Sequence, residues 1–211
     1  MSYTENIALF ASLLFGIVIV PGMDMLLVLS NALTLGRRAG LAATFGIMLG
    51  GAVHTVTGAV GVGLVTRLAP WLFDWLLIVG AVYLAYIGVT LMRSSITIDA
   101  VASGRARTTT RAFTRGVLTC LLNPKAYLFV VAVYPVFLKP AFGPIWSQAV
   151  VMGVLTVAMQ FTIYGGLALA AGRCRDLLVS SPRATRTIGR VAGSVFVVVA
   201  LLSLRQLGSI V

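Results

Sequence analysis

The chain has 211 residues, of which 59% are hydrophobic and 10% are charged, and its mean hydropathy is +1.03. A soluble domain cannot bury so much apolar surface, so the composition excludes a soluble fold and predicts a polytopic protein of the lipid bilayer. The formal net charge of +11 raises nucleic acid as a partner. The distribution of the arginines favours membrane topology instead, and no nucleic-acid partner is predicted.

Apolar runs of about 20 residues, the length of a membrane-spanning helix, recur along the whole chain. They predict six spans: Asn6–Leu33, Gly40–Val65, Pro70–Met92, Gly116–Leu138, Ile145–Gly172 and Ile188–Leu204. The first is expected to be retained, since no positive region and no small-residue cleavage site mark it as a signal peptide. The spans leave no room for a soluble domain, so we expect one all-α transmembrane domain over residues 1–211.

The basic residues are distributed unevenly between the predicted loops. Loops one, three and five hold twelve arginines, whereas the opposite side holds Arg67, Lys139 and Arg205. Cytoplasmic loops carry such an excess of Lys and Arg. The asymmetry therefore predicts that loops one, three and five are cytoplasmic. With six spans, both termini then face out.

Two charges stand alone inside these spans. Asp24 is the only charged residue of the first span, and Lys125 is the only one of the fourth. A charge at the bilayer centre costs about 2.5–3.5 kcal/mol on insertion scales. Each charge also adjoins a proline, in Pro21–Asp24 and Asn123–Lys125, and proline breaks the hydrogen-bond ladder of a helix. The helix breaks expected beside a polar site in mid-membrane are Pro21, Gly22 and Pro124.

The polar segment Ser94–Thr114 reads as a flexible basic loop with three spans on either side. At an offset of 103 residues, three positions of the two halves agree: Pro21 with Pro124, Gly50 with Gly153 and Gly63 with Gly166. A duplicated unit of three spans must lie inverted relative to the first, and inverted repeats are usual in secondary transporters. We expect two such repeats, about 1–93 and 115–211, joined by the linker 94–114.

A set of short motifs runs in order through nearly the whole chain. Pro-Gly-Met-Asp stands at 21–24 and Asn-Pro-Lys-Ala at 123–126. The others are Gly36–Gly40, Gly46–Gly50, Gly80–Gly88 and Phe113–Gly116. As a set they resemble the LysE/RhtB family of amino-acid exporters, named for lysine and homoserine efflux. That family has proline at the third position of the first motif, and Met23 in its place predicts a softer first break.

The resemblance implies a secondary transporter of the bacterial inner membrane, not an enzyme. It implies export of an amino acid or an amino-acid derivative from the cytoplasm in exchange for protons. The predicted partners are therefore that substrate, protons and the lipid bilayer, and a homodimer is left open.

Asp24 is the leading candidate for coupling protons to substrate. A carboxylate among apolar groups favours its neutral form, and a nearby cation such as a substrate ammonium restores the charged form. Proton and substrate would then compete for one group. The alternatives are a fixed structural pair with Lys125 and a position nearer the surface. Lys125 in turn binds a substrate carboxylate, pairs with Asp24, or snorkels to the interface.

Four further residues have two interpretations each. Asn123 either binds substrate or satisfies the backbone opened by Pro124. His54, the only histidine, either packs between helices or relays protons. Tyr83 and Tyr86 either pack or point a hydroxyl group inward. One histidine with scattered Cys, Asp and Glu makes no metal site, and no cofactor is predicted.

Two other function classes stay open from the residues alone. An exporter or channel for an inorganic ion would need clustered carboxylates, cysteines or histidines within the spans. A membrane electron conduit would need a cysteine in each proline motif, and Cys120 near Asn123 has no counterpart in the first half. No nucleophile–base set and no P-loop appears, so neither hydrolysis nor ATP-driven pumping is predicted.

Topology can be tested with single cysteines introduced at Gly104 and Ser209 in a chain that lacks Cys120 and Cys174. The predicted orientation puts residue 104 in the cytoplasm and residue 209 outside. An impermeant maleimide applied to intact cells should therefore label Ser209→Cys and not Gly104→Cys, whereas permeabilised cells should label both. Labelling of residue 104 alone in intact cells would overturn the orientation.

Overall fold

The computed structural model describes residues 2–93, 108–171 and 182–207, and the regular elements within them are all helical, which confirms the all-α prediction. The α-helices are α1 (Tyr3–Ile19), α2 (Met23–Leu35), α3 (Arg37–Leu68), α4 (Pro70–Arg93), α5 (Thr109–Leu121), α6 (Pro124–Phe137), α7 (Ile145–Gln160), α8 (Gly166–Leu169) and α9 (Pro182–Leu207). A 3₁₀ turn, Pro140–Phe142, precedes α7, and a π-helical segment, Phe161–Gly165, joins α7 to α8.

The first and fourth predicted spans are each divided into two helices. α1 and α2 meet at an angle of 53°, and α5 and α6 meet at 50°. At the first break, Val20 is extended, as the residue before a proline prefers, and Pro21 has no N–H for the helical ladder. At the second, Asn123 is extended and Pro124 is the first residue of α6. With Met23 in place, the first bend is no smaller than the second, and the softening expected from Met23 stays a prediction.

Several helices of the described ranges are long and apolar enough to cross a bilayer. α3 and the continuous helix Ile145–Leu169 each qualify alone, and counting each bent pair as one span gives up to four. α4 and α9 contain shorter apolar stretches, Ile78–Thr90 and Arg190–Leu202. The count of six spans and their arrangement as two inverted repeats therefore stay predictions.

The predicted loop Ser94–Thr114 is shorter than expected at its C-terminal end. Residues 94–107 lie outside the described ranges, but α5 already begins at Thr109. Its start is fixed by the Thr108 side chain, which accepts a hydrogen bond from the Arg111 backbone N–H at 3.3 Å. Buried residues at Ala112, Gly116 and Cys120 then form one helical face. Burial of this face stabilises helical structure in a segment whose polarity predicted a loop.

α3 is the central helix of the described core and packs against α2, α5, α6 and α7. Its closest approach is to α5, where Gly46 faces the backbone of Phe113, Gly116 and Val117. Close backbone contact through glycines is typical of helix pairs in membranes. Helices α1 and α6 pack through aromatic rings. Phe10 of α1 contacts the rings of Phe129, Tyr134 and Phe137 of α6, with 5.8–6.3 Å between centroids.

The α3–α5 contact predicts which glycines of α3 tolerate a methyl group. A Cβ at Gly46 would overlap the Phe113 carbonyl oxygen, whereas one at Gly61 would meet no atom within 4 Å. We expect Gly46→Ala to lower the free energy of unfolding by about 1–3 kcal/mol. Gly61→Ala should leave it unchanged or raise it by up to about 1 kcal/mol, because alanine favours helix.

Thermal unfolding of the purified variants in detergent tests this difference. An equal melting temperature for Gly46→Ala and wild type would contradict the α3–α5 contact.

Candidate functional site

A cavity of about 50 Å³ lies between the two broken helices. It is lined by residues of α1, α2, α3, α5, α6, α7 and the π segment, among them Asp24, His54 and Lys125. A volume of this size has room for a few water molecules. The cavity is thus a small, mostly apolar space into which a few polar side chains converge, which is the general form of a ligand site.

The Lys125 side chain extends from the second helix break, at the start of α6, to the first break, at the end of α1. Its side-chain nitrogen donates hydrogen bonds to the carbonyl oxygens of Ile17 and Val20, at 2.8 and 2.9 Å. These carbonyls belong to the last turn of α1, where the break at Pro21 leaves them without helical partners. Lys125 therefore caps the C-terminal end of α1 from another helix. The interpretation in which it snorkels to the interface does not fit these contacts.

His54 of α3 makes the corresponding contact at the second break. Its Nε2 lies 3.0 Å from the carbonyl oxygen of Cys120, in the last turn of α5. A carbonyl oxygen can only accept, so Nε2 carries the hydrogen, and in a neutral ring Nδ1 is the acceptor. At each break, a basic side chain from the other half of the chain thus makes a hydrogen bond to a backbone carbonyl oxygen at the end of the preceding helix.

Asp24 lies in the first turn of α2, with 5% of its surface exposed. Its polar neighbours are the Lys125 ammonium group, the Asn123 amide and the His54 ring. Its Oδ1 atom is fully buried and has no hydrogen-bond partner among the described residues. The nitrogen of Lys125 bonds to carbonyls instead, so Asp24 and Lys125 are electrostatic neighbours and not a directly bonded pair.

Asn123 uses one half of its amide and leaves the other unpaired. Its Oδ1 accepts from the Lys125 backbone N–H at 3.0 Å and caps α6. Its Nδ2 is buried and has no hydrogen-bond partner within the described part of the chain. The backbone-satisfying role is therefore present in the structure, and a donor remains for a ligand. The buried acceptor of Asp24 and the buried donor of Asn123 are neighbours at this site, but neither makes a hydrogen bond of good geometry.

The opposite wall, from α3, α6 and α7, contains residues that sequence reasoning missed. Thr55 donates to the Gly51 carbonyl at 3.1 Å, so the hydrogen bond of 2.8 Å between Thr55 and Tyr134 has the Tyr134 hydroxyl as donor. Gln160, the last residue of α7, is 6% exposed, and its Oε1 has no partner in the described ranges. Tyr164 of the π segment lines the same cavity. Gln160 had a usable signal, an amide near the middle of a span without charges, whereas the tyrosines had none.

Other predicted site residues lie elsewhere. Tyr83 and Tyr86 pair with each other at 5.8 Å between ring centroids, and neither lines the cavity. Tyr86 is 63% exposed. Their helix α4 packs against α3, α6 and α9, but the two tyrosine rings contact each other and not the cavity. Pro21 is buried and Pro124 is exposed, and both shape the backbone without lining the cavity.

A model of the LysE type translocator family matches residues 15–207. The chain belongs to this family. It is thus a multi-pass membrane protein of a transporter family and not an enzyme. No solved structure matches it.

Three relatives extend this comparison. The chain is 27% identical to a homoserine/homoserine lactone efflux protein of Salmonella typhimurium, over 86% of this chain and 87% of the relative. It is 34% identical to a leucine efflux protein of Salmonella choleraesuis, over 58% of each. It is also 30% identical to an uncharacterized membrane protein of Vibrio cholerae, over 84% of this chain and 86% of that protein.

The two halves of the Asn123 amide can be tested separately. Asn123→Ser retains a capping oxygen and should unfold at nearly the wild-type temperature, whereas Asn123→Ala loses the cap and about 0.5–2 kcal/mol of stability. Both variants lose the unpaired Nδ2 donor. If that donor serves a ligand, both should transport poorly even though only Asn123→Ala is destabilised. Full transport by Asn123→Ser would limit Asn123 to capping.

Proposed function

We propose that the protein exports an amino acid or a close derivative from the cytoplasm by proton antiport, with the substrate bound between the two broken helices. The observation that carries the proposal is the buried, unpaired carboxylate oxygen of Asp24 beside Lys125 and Asn123. An isolated buried acceptor is costly, and it is retained where a ligand completes it. The family membership and the names of two relatives, which state efflux of homoserine and of leucine, support the same substrate class.

The substrate ammonium group is assigned to Asp24. This carboxylate is the acidic group of the cavity lining, and its Oδ1 has room for a hydrogen-bond donor. An ammonium ion brought to a carboxylate in an apolar cavity forms a charge-assisted hydrogen bond, which is stronger than a neutral one. Partial dissociation of the Asp24 proton would accompany substrate binding, since the cation favours the charged carboxylate.

The substrate carboxylate is assigned to Lys125, the Asn123 Nδ2 donor and the start of α2. Helix α2 begins at Met23, and Gly22 before it supplies no side-chain cap for the first backbone N–H groups. Free N–H groups at a helix start attract anions. The Lys125 nitrogen already lies close by, since a Cβ built on Gly22 would be 3.2 Å from it. Lys125 would exchange one carbonyl of α1 for the substrate carboxylate.

Coupling follows from competition at Asp24. A proton entering from outside neutralises the carboxylate and releases the ammonium group of the substrate. On the cytoplasmic side the substrate displaces the proton. One carboxylate that binds either cation, but not both, is sufficient for exchange. The cavity of about 50 Å³ is small for an amino acid, so we infer that binding widens it by movement at the two breaks.

The other function classes considered from the sequence gain no specific support. Cys120, which an electron conduit would use, packs against Gly50 of α3. Among the described residues, no three His, Cys, Asp or Glu side chains are grouped so that they could hold a metal ion. Cys120→Ser remains a direct test, because an electron conduit would lose its function with the thiol.

Asp24→Asn tests the coupling role, since it keeps the shape of the side chain but cannot carry a proton. We expect export driven by a pH gradient to fall to background in proteoliposomes. Exchange of substrate for substrate should survive in part, because the amide still offers an oxygen to an ammonium group. Glu5→Gln is the matched control, since Glu5 is an exposed acid at the start of α1. Full proton-driven export by Asp24→Asn would remove the coupling role and direct attention to His54.

The double variant Asp24→Asn with Lys125→Gln separates coupling from structure. If the two residues serve only to balance each other's charge, the neutral pair should recover both stability and transport. If Asp24 couples protons, the double variant should fold but remain inactive under a pH gradient.

A further inference from the structure

We propose that Gln160 is a specificity-determining residue that binds a hydroxyl group on the side chain of the transported amino acid. The inference rests on the proposed function and adds to it the substrate class, neutral amino acids that carry a side-chain hydroxyl group. Gln160 ends α7, lines the cavity that contains Asp24 and Lys125, and is 6% exposed.

Among the described residues, the amide oxygen of Gln160 is unpaired. Oε1 of Gln160 is fully buried and has no hydrogen-bond partner in residues 2–93, 108–171 and 182–207. Leaving such an atom unpaired costs about 1–3 kcal/mol. Methionine or leucine would fill the same space without that cost, so packing does not account for glutamine here.

The helix that faces Gln160 supplies no partner for the amide oxygen. Gly51 of α3 lies opposite, and a Cβ there would come within 2.7 Å of Oε1 and 2.8 Å of Nε2 of Gln160. Gly51 also offers no side chain to bond the amide, and its carbonyl is already bonded by Thr55. The absence of a side chain at position 51 thus makes room for the amide and keeps it unpaired.

The helix type changes directly after Gln160. The π-helical segment Phe161–Gly165 begins directly after it and turns Tyr164 into the same cavity. π-Helical insertions occur frequently at functional sites because they redirect side chains. Gln160 and Tyr164 are therefore presented together on the wall formed by α7 and the π segment.

Of the other polar side chains that line the cavity, His54, Tyr134 and Thr156 already make hydrogen bonds within the protein. Asp24 suits the ammonium group, and Lys125, with Asn123 behind the cavity lining, suits the carboxylate. A third polar contact on α7 then falls to the substrate side chain. A hydroxyl group both donates and accepts, so it satisfies the amide in either orientation of its oxygen and nitrogen.

The test compares pairs of amino acids that differ by a hydroxyl group and have nearly the same shape, homoserine with norvaline and threonine with valine. Initial rates of counterflow are measured in proteoliposomes of the full chain and of Gln160→Met. A site that hydrogen-bonds a hydroxyl group rejects the analogue without it strongly. We expect the wild type to prefer the hydroxyl member of at least one pair by about tenfold or more, and Gln160→Met to lose that preference.

The preference ratio is an internal control, since damage to folding lowers both members of a pair together. Equal wild-type rates within both pairs would overturn the inference, as would a ratio unchanged in Gln160→Met. An equal loss for both members in a stably folded Gln160→Met would also overturn it, because the amide would then bind a group common to all amino acids. Counterflow of leucine alone would refute the hydroxyl site but leave amino-acid transport intact. Failure with every amino acid would refute the proposed function itself.

Discussion

When α1 ends before Pro21, the carbonyl oxygens of its last turn lose their helical partners, and unpaired backbone groups are expensive in an apolar environment. Lys125 supplies the missing donors at 2.8 and 2.9 Å from the carbonyl oxygens of Ile17 and Val20. This contact joins the beginning of α6 to the end of α1, so it fixes the position of one broken helix relative to the other. The same contact therefore positions the site between the breaks, which includes Asp24, Asn123 and the cavity.

The site is notable for polar atoms that the protein does not pair with each other. Asp24 Oδ1, Asn123 Nδ2 and Gln160 Oε1 are buried without hydrogen-bond partners in the described ranges, and all three residues belong to the same region between the breaks. Folded proteins leave few such atoms. The Asp24 acceptor and the Asn123 donor lie beside each other, and the Gln160 acceptor lies on α7. Such a mixture of donor and acceptor groups differs from the set of oxygen ligands that a hard metal cation favours.

Two kinds of contact hold the helices around the site. Gly46 lets α3 touch the backbone of α5, and one helical turn further on, Gly50 contacts Cys120. These contacts place His54 beside the Cys120 carbonyl. By contrast, the breaks are held by side-chain-to-backbone hydrogen bonds, which can be exchanged for bonds to a ligand at little net cost.

The sequence by itself determined the all-α membrane class, both helix breaks, and the charged and amide residues beside them. Those features are local, because proline removes a backbone donor wherever it stands and a lone charge in an apolar span is visible without a fold. Only the tertiary structure decided which groups meet: that Lys125 bonds to α1 and not to Asp24, that His54 faces Cys120, and that Tyr83 and Tyr86 lie away from the cavity. It also decided that Gln160 is left unpaired, since this depends on the missing side chain of Gly51, more than one hundred residues earlier. Contacts between distant segments depend on how whole helices pack, and hydrophobic periodicity fixes which face of a helix is buried but not which helix it faces.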